Sequence, residues 1–188
     1  MFKMIVSWVG GKKLQKTLVV FSFLGISSFT SAESSVGIEQ MKLASSVGAS
    51  CSGFYDGVYR LLHNMEDEQG ERLLELKQIW PGVNKRFVFR QSTSSMLMTD
   101  IFIRQLNHRF KPEPALSLQT FSDEYVGSRQ KAMGWDNSMQ ANDTFLNQHK
   151  QCEHILKISR QNGTLTEERI NGAMVQRANA LGLDLTDM

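Results

Sequence analysis

Between residues 38 and 66 the chain repeats one pattern at steps of three and four. Met41, Ala44, Gly48, Cys51, Tyr55, Val58, Leu62 and Met65 recur as one face of a helix requires. A helix of this kind draws most of its stability from elements that cover its apolar face. The middle of this one is unusual. Gly48, Ser50, Gly53 and Gly57 cluster there, and each glycine costs a helix about 1 kcal/mol against alanine. Close approach of another backbone is the expected compensation, so the first helix should have neighbours at its waist.

The remainder reads as further helices. Leu73, Leu74, Leu76, Ile79 and Trp80 suggest a short second helix stopped by Pro81-Gly82. Phe87-Val88-Phe89, flanked by Lys85, Arg86 and Arg90, reads as a short strand or an extended connection. A third helix is expected from about Ser94 to Phe110, apolar on a wide face and ended by Lys111-Pro112-Glu113-Pro114. Pro114 is placed to open a fourth, with Leu118, Phe121, Tyr125 and Ala132 on one side and Gly134 as its stop. A fifth runs from about Ser138 to Arg160, with Phe145, His149, Cys152, Leu156 and Ser159 on one stripe. Thr164 to Glu167 has capping-box spacing and starts a last helix carrying Ile170, Ala173, Met174 and Leu181, ended by Gly182. The expected fold is all-α, a single-domain bundle of five or six helices.

The ends bear on compartment. Lys3, Lys12, Lys13 and Lys16 precede the apolar run 17–26, and Ser27-Ser-Phe-Thr-Ser-Ala32 follows it. A basic region, a short apolar region and small residues before a cut are the parts of a secretory signal. Residues 1–32 are therefore expected to be a cleaved signal peptide and 33–188 the helical domain. The alternative is a membrane anchor, but the run is shorter than the roughly 20 residues a span requires, so no membrane span is expected after cleavage. The expected location is periplasmic or secreted.

Four of the 21 basic residues and none of the 19 acidic ones lie in that leader, so the mature part carries 17 against 19, a net charge of −2. Nothing then points to a nucleic-acid partner. Two cysteines, Cys51 and Cys152, both fall in the mature part. In an oxidising compartment the pair reads first as a disulfide, joining the first helix to the fifth. Two buried free thiols are the alternative.

Candidate chemistry is sparse. His149, Cys152, Glu153 and His154 are the one cluster of potential metal ligands, but His154 sits about 140° round the helix from His149, so they do not converge on an ion. Ser128-Arg-Gln-Lys131 matches S-x-x-K without the S-D-N and K-T-G partner motifs of the acyl-transferring enzymes. His63 and His108 are isolated. Asn142-Asp-Thr144 and Asn162-Gly-Thr164 are glycosylation sequons. No metal, cofactor or catalytic residue is assigned. Glu66-Asp67-Glu68, with Glu71 and Glu75, forms an acidic patch that reads as solvated surface or as a contact for a basic protein partner.

Cys51-Ser-Gly53-Phe54-Tyr55-Asp56-Gly57-Val58-Tyr59, followed by Ser94–Leu106 and Phe110-Lys111-Pro112-Glu113, resembles the small periplasmic immunity proteins of the Tai/Rap type, which protect against type VI secretion effectors. The similarity spans about residues 45–132. It departs where that family carries further cysteines, and it leaves the C-terminal segment unexplained. The resemblance implies stoichiometric inhibition of a secreted effector with no catalytic residue. Tyr55, Tyr59, Glu66, Asp67 and Glu68 are then the candidate partner contacts. The rival expectations are an envelope adaptor or stress protein binding several clients, and an enzyme of unfamiliar type centred near His149 and Glu153.

Overall fold

A computed structural model describes residues 31–67 and 71–186, with side chains from 37 to 65 and from 71 onward. Residues 1–30 of the expected 1–32 leader lie outside the described residues, as do Glu68 and the side chains of Glu66 and Asp67. Six α-helices follow in order: α1 (Ser31–Asp67), α2 (Glu71–Ile79), α3 (Lys85–Phe110), α4 (Ser122–Met133), α5 (Met139–Gln161) and α6 (Glu167–Leu181), with a 3-10 turn at Leu118–Phe121 before α4. No strand occurs among the described residues, and no helix there is long and apolar enough to cross a membrane.

α1 is the axis of the bundle, packed chiefly against α3 and α4, with α6 laid on α3. Its glycines explain the closeness. A methyl carbon built on Gly53 would overlap the Tyr125 carbonyl oxygen of α4, and one on Gly57 would lie 2.5 Å from the Arg129 carbonyl oxygen and 2.7 Å from the Ala132 Cβ. Gly48 faces α3 instead, against Thr99 and Met98. Backbone of α4 therefore rests where side chains of α1 would otherwise stand, and the helix-propensity cost is offset by that packing.

α3 meets α1 through small polar residues. Ser92, Thr93, Ser94, Ser95 and Thr99 are buried, as are Ser45 and Ser52 opposite. Such a run is a poor helix former because its hydroxyls compete for backbone groups. Here that competition is absorbed within the helix: Thr93, Ser95 and Thr99 each donate to the carbonyl four residues back, at 2.8–2.9 Å. Ser92 Oγ reaches across to the Ser52 carbonyl at 2.9 Å.

Four expectations are corrected. Phe87-Val88-Phe89 is neither strand nor connection but the first turns of α3. The Asn84 side chain caps that helix by accepting from the Phe87 amide at 2.8 Å, and Val88 and Phe89 then continue its buried face. Pro114 does not open α4. The Asn107 amide grips the Leu116 backbone through two bonds of 2.7 and 3.0 Å, holding 111–117 as an irregular link, and Glu113–Pro114 is cis. The cap of α6 is Thr166, whose hydroxyl accepts from the Arg169 amide at 3.3 Å, rather than Thr164. Leu118 and Leu181 face outward rather than inward.

The core holds one continuous apolar cluster to which all six helices contribute. Its centre is aromatic. Phe54 meets Phe145 edge-on at 5.0 Å, and Trp80 lies over the His149 ring at 3.9 Å. Cys51 and Cys152 are bonded, with Cα atoms 5.5 Å apart, fastening α1 to α5.

Candidate functional site

A cleft opens among the described residues at the corner where α4 turns into α5. Gly134 ends α4, its amide bonding back to the Gln130 carbonyl at 3.0 Å. Trp135 then turns inward instead of outward. Its Nε1 donates to Asn142 Oδ1 at 2.7 Å, and its carbonyl accepts from the Arg72 guanidinium of α2 at 2.8 Å. Asp136 accepts from the Ser138 amide at 3.0 Å, Asn137 takes a left-handed backbone (φ 62°), and Ser138 caps α5 by accepting from Ala141 at 3.2 Å. The bonds from Ser138 hold the Asp136 carboxyl below the usual carboxylate range, so it stays anionic at the rim.

This folded link leaves a cleft of about 340 Å³, near the lower end of the range for ligand-sized pockets. Phe54, Trp135 and Phe145 form its apolar floor, with Ala132 and Ala141 on the walls. Lys131, Asp136, Gln140, Thr144 and Gln148 supply polar groups around it. Gln148 is itself held, donating to Ser128 Oγ at 3.3 Å, and Ser128 meets Ser50 of α1 at 2.6 Å. Two methionines flank the link, Met133 at the end of α4 and Met139 at the start of α5, and Met139 is 83% exposed. An unhindered thioether chain is adaptable in the shapes it can meet.

Two other polar clusters serve the interior. Tyr55 Oη and His149 Nδ1 share a hydrogen bond of 3.1 Å, while His149 Nε2 lies 4.0 Å from Glu153. Burial pushes the Tyr55 hydroxyl up and the His149 imidazole down. The Asp56 carboxylate gathers Tyr125 Oη at 2.8 Å, Arg60 Nε at 3.1 Å and Arg177 Nη2 at 3.1 Å. Arg177 also donates to Ser92 and Thr93 and lies over the Phe89 ring. Tyr125 and Arg177 thus tie Asp56 across helices, while Arg60 pairs with it within α1.

The sites expected from sequence are scattered. Cys51 and Cys152 meet as expected. Tyr55 is 0% exposed and is withdrawn as a partner contact, because its ring and hydroxyl are consumed by the core. Tyr59 is half-buried against Phe89, with ring centres 5.8 Å apart, and does not line the cleft. Lys131 of the S-x-x-K match lines the cleft, whereas the hydroxyl of Ser128 is tied to Ser50 and Gln148. No group of three potential metal ligands occurs among the described residues. His63, His108 and His154 are exposed. Of the two sequons, Asn142 is fully engaged between Trp135 and Asn137, and Asn162 accepts from the Thr164 amide.

The cleft itself was not anticipated. A signal for it exists in Met133-Gly-Trp-Asp-Asn-Ser-Met139, a link between helices carrying three large apolar residues where polar turn residues suffice. No protein-family model matches the chain, and neither a curated protein nor a solved structure does.

Proposed function

We propose that this is an exported helical protein that acts by binding another protein, and that the α4–α5 cleft is where it does so. The observation that carries the reading is an apolar floor under a polar rim, with the exposed Met139 next in the chain to the lining residues Ser138 and Gln140. That is the build of a hot-spot pocket, in which one buried anchor from the partner supplies most of the affinity and the rim excludes water. The expected occupant is an apolar side chain on a partner loop, with Gln140 and Thr144 placed to hydrogen-bond its flanking backbone. The buried Cys51–Cys152 bridge supports export, because disulfides persist where the surroundings are oxidising.

The sharpest form of the proposal is immunity-type inhibition: stoichiometric capture of a secreted effector in the periplasm. It rests on the similarity of residues 45–132 to the Tai/Rap immunity proteins.

The test is site-specific crosslinking from position 140 in the mature protein within its own host's envelope, repeated with Met139→Glu and, as a control, Val175→Glu on α6. One partner at one-to-one stoichiometry is expected, lost by tenfold or more in Met139→Glu and kept in Val175→Glu. Loss of that partner's enzymatic activity on mixing would establish inhibition. A spread of weak adducts unaffected by Met139→Glu would sink the cleft and favour an adaptor.

A further inference from the structure

The walls of the cleft belong to two elements held in different ways. Lys131, Ala132 and the link that follows come from α4, which is locked onto α1 by backbone contact at Gly53 and Gly57. The opposite wall, Gln140 to Gln148, comes from α5. No glycine of α1 faces α5; those at 48, 53 and 57 face α3 and α4. α5 instead meets α1 through side chains, and two ties lie one turn apart on both helices. One is the Cys51–Cys152 bond and the other the Tyr55–His149 hydrogen bond. The bridge sits three residues before Phe54 in the cleft floor and four after Gln148 in its wall.

We infer that the disulfide is an arming clasp: the three-helix unit of α1, α3 and α4 stands without it, whereas α5 takes its place as the second wall only once the bond has formed. The reduced chain would then carry one wall of the binding site and become competent on oxidation. In the forming step the Cys51 and Cys152 thiols give up two protons and two electrons to an exchanging protein or glutathione disulfide. That disulfide leaves as two thiols, through a mixed-disulfide intermediate. Both sulfurs are buried in the finished fold, so the armed form resists reversal until α5 opens. This inference rests on the cleft being the binding site, but the clasp itself is measured without any partner.

The experiment is amide hydrogen exchange, read by mass spectrometry, on the mature chain and on its Cys51→Ala/Cys152→Ala double variant. The same chain reduced by dithiothreitol and blocked with iodoacetamide gives a second measurement, and circular dichroism reports helix content. Exchange across 139–161 is expected to speed up by tenfold or more, while 45–65 and 88–106 change by less than threefold. The alternative is that the bond acts only by restricting the unfolded chain. Acceleration would then be uniform across all six helices, or the variant would fail to fold, and either result overturns the clasp. Loss of partner crosslinking with the expected exchange pattern absent would leave the cleft standing and the clasp refuted. The expected exchange pattern with crosslinking unchanged would refute arming.

Discussion

At the scale of single residues, stability turns on groups whose surroundings leave no slack. Gly53 has the Tyr125 backbone where a side chain would go, whereas Gly127, inside α4, has nothing within 4 Å of an added methyl. Gly53→Ala must move one helix off another, a shape change costing about 3 kcal/mol or more. Gly127→Ala should stabilise by about 0.5–1 kcal/mol through helix propensity alone. Urea denaturation of both variants gives the comparison, and equal effects would contradict the packing described. His149 offers a second test. Burial lowers its pKa from the ordinary 6.5, Glu153 pulls the other way, and Lys150 lowers it further; Tyr55, Trp80 and Phe87 are its other neighbours. The folded chain thus holds the imidazole neutral where the unfolded chain binds a proton. Its contribution is full above about pH 6.5, is lost as pH falls below that, and levels off beneath the folded value. His149→Gln, which keeps an acceptor for Tyr55, should flatten the urea midpoint against pH in that window.

Between elements, the polar cluster on Asp56 decides how α6 docks. Arg177 reaches from α6 past Ser92 and Thr93 of α3 to Asp56 of α1, and the side chains of this pair are only 9% and 14% exposed. Arg90 reinforces the docking from α3 through Glu167 and Asn171. Such a pair adds little net stability when intact, yet removing one partner strands the other charge. Asp56→Ala is expected to destabilise by about 3–5 kcal/mol, well above an exposed ion pair such as Lys42–Glu39, which is worth less than about 1 kcal/mol. A loss under 1 kcal/mol by chemical denaturation would show that α6 is held by its apolar face alone, through Ile170, Met174 and Ala178.

Across the whole molecule, rigidity and adaptability are divided between helices. α1, α3 and α4 approach so closely that glycine and serine mediate the contact, while α5 leans on large aromatic rings and one covalent bond. The bond closes a separation of 101 residues, a loop for which chain entropy alone accounts for about 4.7 kcal/mol. Whether that stabilisation is spread over the fold or concentrated in α5 is what hydrogen exchange resolves. The proposed binding cleft follows from the same division. A cleft between a fixed wall and a fastened one can be shaped in advance for its partner, which lowers the ordering cost of association.

How much of this is written in the chain differs by feature. The helical steps of α1 and of α5, and the stops at Pro81-Gly82, Gly134 and Gly182, are local, because a 3.6-residue period and a backbone breaker act within a turn or two. The sequence likewise required a close neighbour for Gly53 and Gly57, since their cost in a helix has no local return. It could not say that α4 was that neighbour. The start of α3 was misread because three adjacent apolar residues between basic ones carry no period, and the Asn84 cap matters only once a helix follows it. Tyr55 looked like a contact because its fate depends on His149, 94 residues away. The cleft and the Asp56 cluster join segments distant along the chain; the Cys51–Cys152 pairing does too, but two cysteines allow only one intramolecular bond, which made it legible. Local propensity and periodicity determined the helices by themselves; only their packing decided which polar groups are spent inside and which surface is left to bind.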